Sequence, residues 1–341
     1  MRLKGYFLFL VCFSLGASVV AQVTWRRAYG AFGSDIGKCV RTTVDEHIVV
    51  AGSTGSFGDG TSDIYLLELD GNGVLQWSRT IGGAEIDQAT SLMQMPDQGW
   101  LIAGFTNSSS GAGGYDGMLV RTNSTGDVLW QHTYGGENWD MFQSGSSLPD
   151  GGAVIAGQTF SEGGGGDAWL VRINSVGDTL WTRHYGGSGA EIANSVKVTS
   201  DGGFVLAGSM VGLNNDENAY VLKTDDLGIV QWSSSIGGDS LDLARDIIQT
   251  TDGGYSIVGA THSFSQWDEH YHFKLDGSGS LLWQKHWGQV NDQEAFQHVE
   301  LPSGGFATTG WTKTSGGGGK DMFIFLCDFQ GDFVAHFMLM I

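Results

Sequence analysis

Apolar residues along this chain fall in short runs of six or seven, bounded by turn-forming residues, with no 3.6-residue spacing of the kind an amphipathic helix shows. One set of four runs is 89–95 (ATSLMQM), 100–106 (WLIAGFT), 117–122 (GMLVRT) and 128–134 (VLWQHTY). Aliphatic, aromatic and β-branched residues dominate each run, and Gly, Asn, Asp, Ser or Pro separate them, which is the pattern of strands joined by turns. The set recurs. Trp25, Trp77, Trp130, Trp181, Trp232 and Trp283 mark it with steps of 52, 53, 51, 51 and 51 residues.

A glycine series, Gly52, Gly104, Gly157, Gly208, Gly259 and Gly310, keeps the same steps. So does a turn: Asp45-Glu46, Pro96-Asp97, Pro149-Asp150, Asp201-Gly202, Asp252-Gly253 and Pro302-Ser303, which takes in all three prolines of the chain. Proline sets φ for the first corner of a β-turn and glycine supplies the positive φ after it, so this slot is a hairpin turn. Six four-stranded antiparallel units, at about 25–76, 77–129, 130–180, 181–231, 232–282 and 283–341, predict an all-β fold. A six-bladed β-propeller within one domain, 22–341, is the closed solution for such a unit. The fourth run occurs seven times, because residues 23–29 and 333–341 both match it. The C-terminal copy is expected to complete the last blade, since its Phe333, Val334 and Phe337 would otherwise face water.

Residues 181–187 (WTRHYGG) and 252–261 (DGGYSIVGAT) show best a pattern that resembles bacterial secreted propeller repeats, W-x-x-x-Y-G-G followed by D-G-G-Y-x-x-x-G-x-T. The resemblance extends over nearly all of the chain after residue 21. It implies the propeller fold and says little of function. Such repeats often precede a C-terminal sorting domain, which is not recognisable in this sequence.

Arg2 and Lys4, an apolar stretch over residues 7–20, and Val19 and Ala21 at small-residue positions give residues 1–21 the form of a secretory signal peptide, so export to the periplasm or exterior is expected. The stretch is too short to span a bilayer, and no later segment is long and apolar enough. Without Arg2 and Lys4, 15 basic side chains face 37 acidic ones, a net of −22. That balance disfavours nucleic acid as a partner. Cys39 and Cys327 remain after Cys12 leaves with the signal. They sit early and late in their repeats, two strands apart, so two buried thiols are expected rather than a ring-closing disulfide.

Five repeats carry a carboxylate ten residues after the tryptophan: Asp35, Asp87, Asp140, Glu191 and Asp242. The sixth has Gln293. Copies on one face could ring a Ca²⁺ ion. The preferred reading is that each accepts backbone N–H bonds and fixes its Gly-Gly turn. The fifth repeat adds His262, His270 and His272. Residues 270 and 272 share one side of a strand, and hairpin pairing could bring His262 opposite them as a Zn²⁺- or Cu²⁺-type site, with a solvated polar loop as the competing account. Trp139 and Trp267 fall in loops outside the repeat and are candidate sugar-stacking platforms. No nucleophile elbow, phosphate loop or metalloprotease helix is present. The expected function is a monomeric, non-enzymatic binding or scaffold module contacting a protein or glycan through loops on one face. The alternative is a polysaccharide hydrolase or lyase using carboxylates of the ring.

Overall fold

A computed structural model describes residues 25, 27–108, 114–162, 165–212, 216–288, 291–313 and 319–339. The expected signal peptide and the last two residues lie outside it. Blade one holds β1 (Asp35–Thr42), β2 (Ile48–Thr54), β3 (Asp63–Leu69) and β4 (Leu75–Ile81). Blade two holds β5 (Asp87–Gln94), β6 (Trp100–Thr106), β7 (Asp116–Thr122) and β8 (Val128–Tyr134). Blade three holds β9 (Asp140–Ser147), β10 (Ala153–Thr159), β11 (Asp167–Ile173) and β12 (Thr179–Tyr185). Blade four holds β13 (Glu191–Val198), β14 (Phe204–Val211), β15 (Glu217–Thr224) and β16 (Val230–Ile236). Blade five holds β17 (Asp242–Gln249), β18 (Tyr255–Thr261), β19 (Glu269–Leu275) and β20 (Leu281–Trp287). Blade six holds β21 (Gln293–Glu300), β22 (Phe306–Thr312), β23 (Asp321–Cys327) and β24 (Phe333–Leu339).

Each blade is a four-stranded antiparallel meander, and the six stand in a ring about a channel lined from all of them. The chain is a six-bladed all-β propeller. Repeats counted from their tryptophans straddle the sheets: Trp77 lies on the last strand of blade one and Trp130 on the last strand of blade two. β24 pairs with β23, from Met322 opposite Leu339 to Cys327 opposite Phe333, so the C-terminal strand completes blade six as expected. The stated reason fails, however, because Phe333, Val334 and Phe337 stay more than half exposed on the outer edge.

The recurring residues acquire distinct physical roles. Each glycine of the Gly52 series faces a bulge in the first strand, where a Cβ on Gly208 would stand 1.8 Å from the Ile192 carbonyl oxygen. Each repeat tryptophan from Trp77 to Trp283 lies over the positive-φ glycine of the next blade's β-turn, as Trp181 does over Gly228, and so clamps two blades together. Arg79 and Arg183 rest over the Trp77 and Trp181 rings, 5.5 and 5.3 Å from their centroids. The Pro-Asp-Gly turn has a partner that periodicity does not reveal. Buried Arg121, Arg172, Lys223 and Lys274 on the third strands reach Asp97, Asp150, Asp201 and Asp252 of those turns.

The first strand of each of blades two to six packs on the first two strands of the blade before it. β1 does not pack to this extent on β21 or β22. Cys39 and Cys327 are free and buried, and burial pushes both thiols up to about 12.

Candidate ligand-binding face

Within each blade the first and third strands begin at one end of the ring and the tight turns lie at the other. The long second-to-third-strand loops and the Gly-Gly links between blades therefore share a loop end. The repeated carboxylates stand at the root of this end and are committed to it. Asp140 accepts from Gly136 N at 2.8 Å, from Ser161 Oγ at 2.7 Å and from the Thr159 hydroxyl. Asp242 repeats the pattern with Gly238 N, Ser263 Oγ and the Thr261 hydroxyl, and Asp87 with Gly83 N and Ser108 Oγ. Asp35 takes Ala31 N and Ser56 Oγ, and Glu191 takes Gly187 N at 3.3 Å. In blades one, two, three and five these bonds tie the link to the following loop of the same blade. The copies do not converge, and among the described residues no group of three or more acidic, histidine or cysteine side chains is placed to hold a metal ion.

A second carboxylate, at the start of a third strand, stands beside two of these links. Asp63 and Asp87 flank Gly82, and Asp167 and Glu191 flank Gly186. Burial raises the Asp63 and Glu191 carboxyls, and the neighbouring carboxylates push the same way. A carboxyl raised in the fold favours folding fully below its unfolded value near 4, and that contribution is lost as pH rises through the folded value. Asp63→Asn is therefore expected to raise Tm at pH 7 by about 2 °C, with the gain vanishing below about pH 4. Calorimetry at both pH values checks it, and a lower Tm at pH 7 would contradict it.

The three histidines do not form one site. His270 and His272 do share a face, but it is the buried face turned toward blade six. His270 lies among Trp287, Phe323 and Phe325, and burial holds it at about 3. His272 Nε2 is 2.7 Å from Ser256 Oγ, and burial holds its imidazole well below the usual histidine range. Strand pairing sets Ala260 opposite His270, so His262 lies beyond the ladder, half exposed, with Nδ1 3.1 Å from Asp268.

A polar network passes unnoticed in the sequence. Ser256 Oγ lies 3.0 Å from His298 Nε2, and His298 Nδ1 lies 3.2 Å from Asp246, which also meets Lys197 Nζ at 3.2 Å and Ser195 Oγ at 2.9 Å. Serine, histidine and aspartate stand in the order of a hydrolytic triad. Ser256 has no exposure to solvent and shares its hydroxyl with His272, so the network serves to join blades four, five and six. Its only sequence signal is departure from the repeat: Asp246 replaces the Ser91, Ser144 and Ser195 of earlier blades, and His298 replaces Leu92, Val196 and Ile247.

The channel, a cavity of about 420 Å³, gathers Lys38, Arg41, Lys197 and Arg245 in an otherwise acidic protein. Arg245 pairs with Glu294 at 2.6 Å and Lys197 with Asp246. On the loop end, Trp139 is 53% exposed. Its edge meets Tyr115 at 5.6 Å, its carbonyl accepts from Phe160 N at 2.9 Å, and the Phe160 ring is 40% exposed. Gly114 leaves room for the indole, which would lie 2.2 Å from a Cβ there. Trp267 is half-buried in a tight loop that Ser265 closes, a separate place on blade five, where exposed Phe264 stacks on His286. The two candidate tryptophans therefore belong to different loops.

Radial four-stranded antiparallel sheets define a β-propeller. Among solved structures, the chain is similar to the WD40 domain of Neurospora crassa Pan2, at 10% identity over 86% of each chain with a TM-score of 0.51. It is also similar to the β-propeller domain of the Trilobed protease from Pyrococcus furiosus, at 10% identity over 87% of this chain and 82% of that one, TM-score 0.47. At this identity the first likeness shows the fold alone. No family model matches the chain, and no curated protein does. No helix among the described residues is long and apolar enough to cross a membrane.

Proposed function

We propose that this chain is a secreted, non-enzymatic binding module that holds a protein or glycan on the loop end of its propeller. The propeller fold is consistent with a binding or scaffold role, and rigid sheets that present loops suit recognition. One observation carries the reading further: Trp139 and Phe160 expose rings where blades two and three meet, while the nearby repeated carboxylates are occupied by turn hydrogen bonds. An indole offers a flat apolar face with a polar N–H, which suits a sugar ring or an apolar side chain. The hydrolase or lyase alternative draws on the raised carboxyls of Asp63 and Glu191, which resemble a general acid in kind but are buried.

Arrays of glycans and of extracellular proteins test the proposal. A ligand is expected whose affinity falls at least tenfold in Trp139→Ala while Tm stays unchanged. Turnover of a polysaccharide that Glu191→Gln abolishes would install the enzymatic reading instead.

A further inference from the structure

Blade one and blade six each leave uncovered a face that every other junction buries. Val40 is 51% exposed, whereas its counterparts Leu92, Val196 and Ile247 are fully buried. On the opposite side of the seam, Val299 and Met322 are 58% and 42% exposed, where blade-two Met93 and blade-one Ile64 are buried. A cavity of about 480 Å³ runs along the blade-one face, lined by Trp25, Tyr29, Val40, Val50, Tyr65 and Leu67.

The residues before β1 show what kind of place this is. Trp25 lies over the positive-φ Gly73, and its Nε1 donates to Gly71 O at 3.0 Å. Tyr29 gives its hydroxyl to Gly73 O, as Tyr134 does to Gly177 O at 2.6 Å and Tyr185 to Gly228 O at 2.7 Å. Trp25 and Tyr29 thus take the place that the outermost strand of a preceding blade takes at the other junctions. β24 does not compete for it, because Ala335 stands where the other fourth strands carry tryptophan. Seven outer-strand places therefore accompany six sheets.

We infer that the seam between blades six and one is a blade slot that accepts a three-stranded antiparallel β-sheet, apolar on both faces, from a partner protein. The five formed junctions define what each face meets: Val40, itself on a first strand, would meet the apolar first two strands of a preceding sheet, and Val299 and Met322 would meet the apolar first strand of a following one. A second copy of this chain fits less well, since its β24 would need the place Trp25 and Tyr29 already hold. The inference is independent of ligand binding at the loop end.

The probe is a polypeptide carrying residues 140–173 of this chain, the first three strands of blade three, fused to a soluble carrier and labelled for fluorescence anisotropy. Saturable binding to the full chain is expected, at least tenfold weaker for Val40→Asp and for Val299→Asp and unchanged for Leu282→Asp on the outer rim. Val40 and Val299 are exposed, so both variants should fold, and circular dichroism checks it. Absence of binding, or binding insensitive to Val40→Asp, would overturn the inference. So would self-association by light scattering that Val40→Asp abolishes, which would put a second copy in the seam.

Discussion

Asp246→Ala is expected to lower the stability of the propeller by about 3 kcal/mol at pH 7, the size seen when one member of a buried charged network is removed. The Asp246 side chain is 7% exposed. It accepts from Ser195 Oγ and from His298 N, and it lies beside the Lys197 ammonium. Its loss would strand those groups at the contact of three blades. Burial alone would raise this carboxyl, yet Lys197 and His298 outweigh burial and hold it well below the usual range. A carboxyl depressed in the fold contributes stability above its unfolded value near 4, and that contribution is lost as pH falls toward the folded value. The gap between wild type and Asp246→Ala should therefore be full at pH 7 and narrow below about pH 4. Urea midpoints at pH 7 and pH 3 read both parts. Equal stability at pH 7, or a gap that does not narrow, would contradict the assignment. Ser256→Ala, at the other end of the network, should leave ligand binding unchanged, because no substrate reaches that hydroxyl.

Gly208→Ala is expected to cost about 3 kcal/mol by overpacking against backbone that has no free space. The added Cβ would stand 1.8 Å from Ile192 O and 2.8 Å from the carbonyl carbon. The register there shifts between Ala193 and Ser195, so the first strand bulges toward the glycine and relief would mean undoing the bulge. The other five blades repeat the approach at 1.8 or 1.9 Å. Gly187→Ala supplies the control, since nothing lies within 4 Å of its Cβ position, and it should change stability by less than about 0.5 kcal/mol. Similar midpoints for the two variants would show that the repeated glycine has another cause.

Strands, turns and blade count are legible in the sequence because each depends on local chemistry: runs of apolar residues, proline and glycine at turn corners, and a constant period. The residues that join blades are harder to read. Alternation places His270 and His272 on one side of a strand, but it does not say whether that side meets water or the neighbouring blade. Likewise the period does not set the pairing of Arg121 and Lys274 with Asp97 and Asp252, which shows only once the third strand lies beside the turn. The surplus outer strand is visible as a count, while the seam it borders depends on which sheet each copy joins. Asp246 and His298 break the repeat, and a search restricted to what recurs passes over them.

The central claim is that repeated carboxylates build the loop end while residues outside the repeat bind there. It is tested most directly by measuring Tm and ligand affinity for Asp140→Asn and Trp139→Ala on the same captured ligand. Asp140→Asn should lower Tm, through its bonds to Gly136, Thr159 and Ser161, and leave affinity unchanged. Trp139→Ala should do the reverse. Affinity or turnover lost in Asp140→Asn at an unchanged Tm would contradict the account.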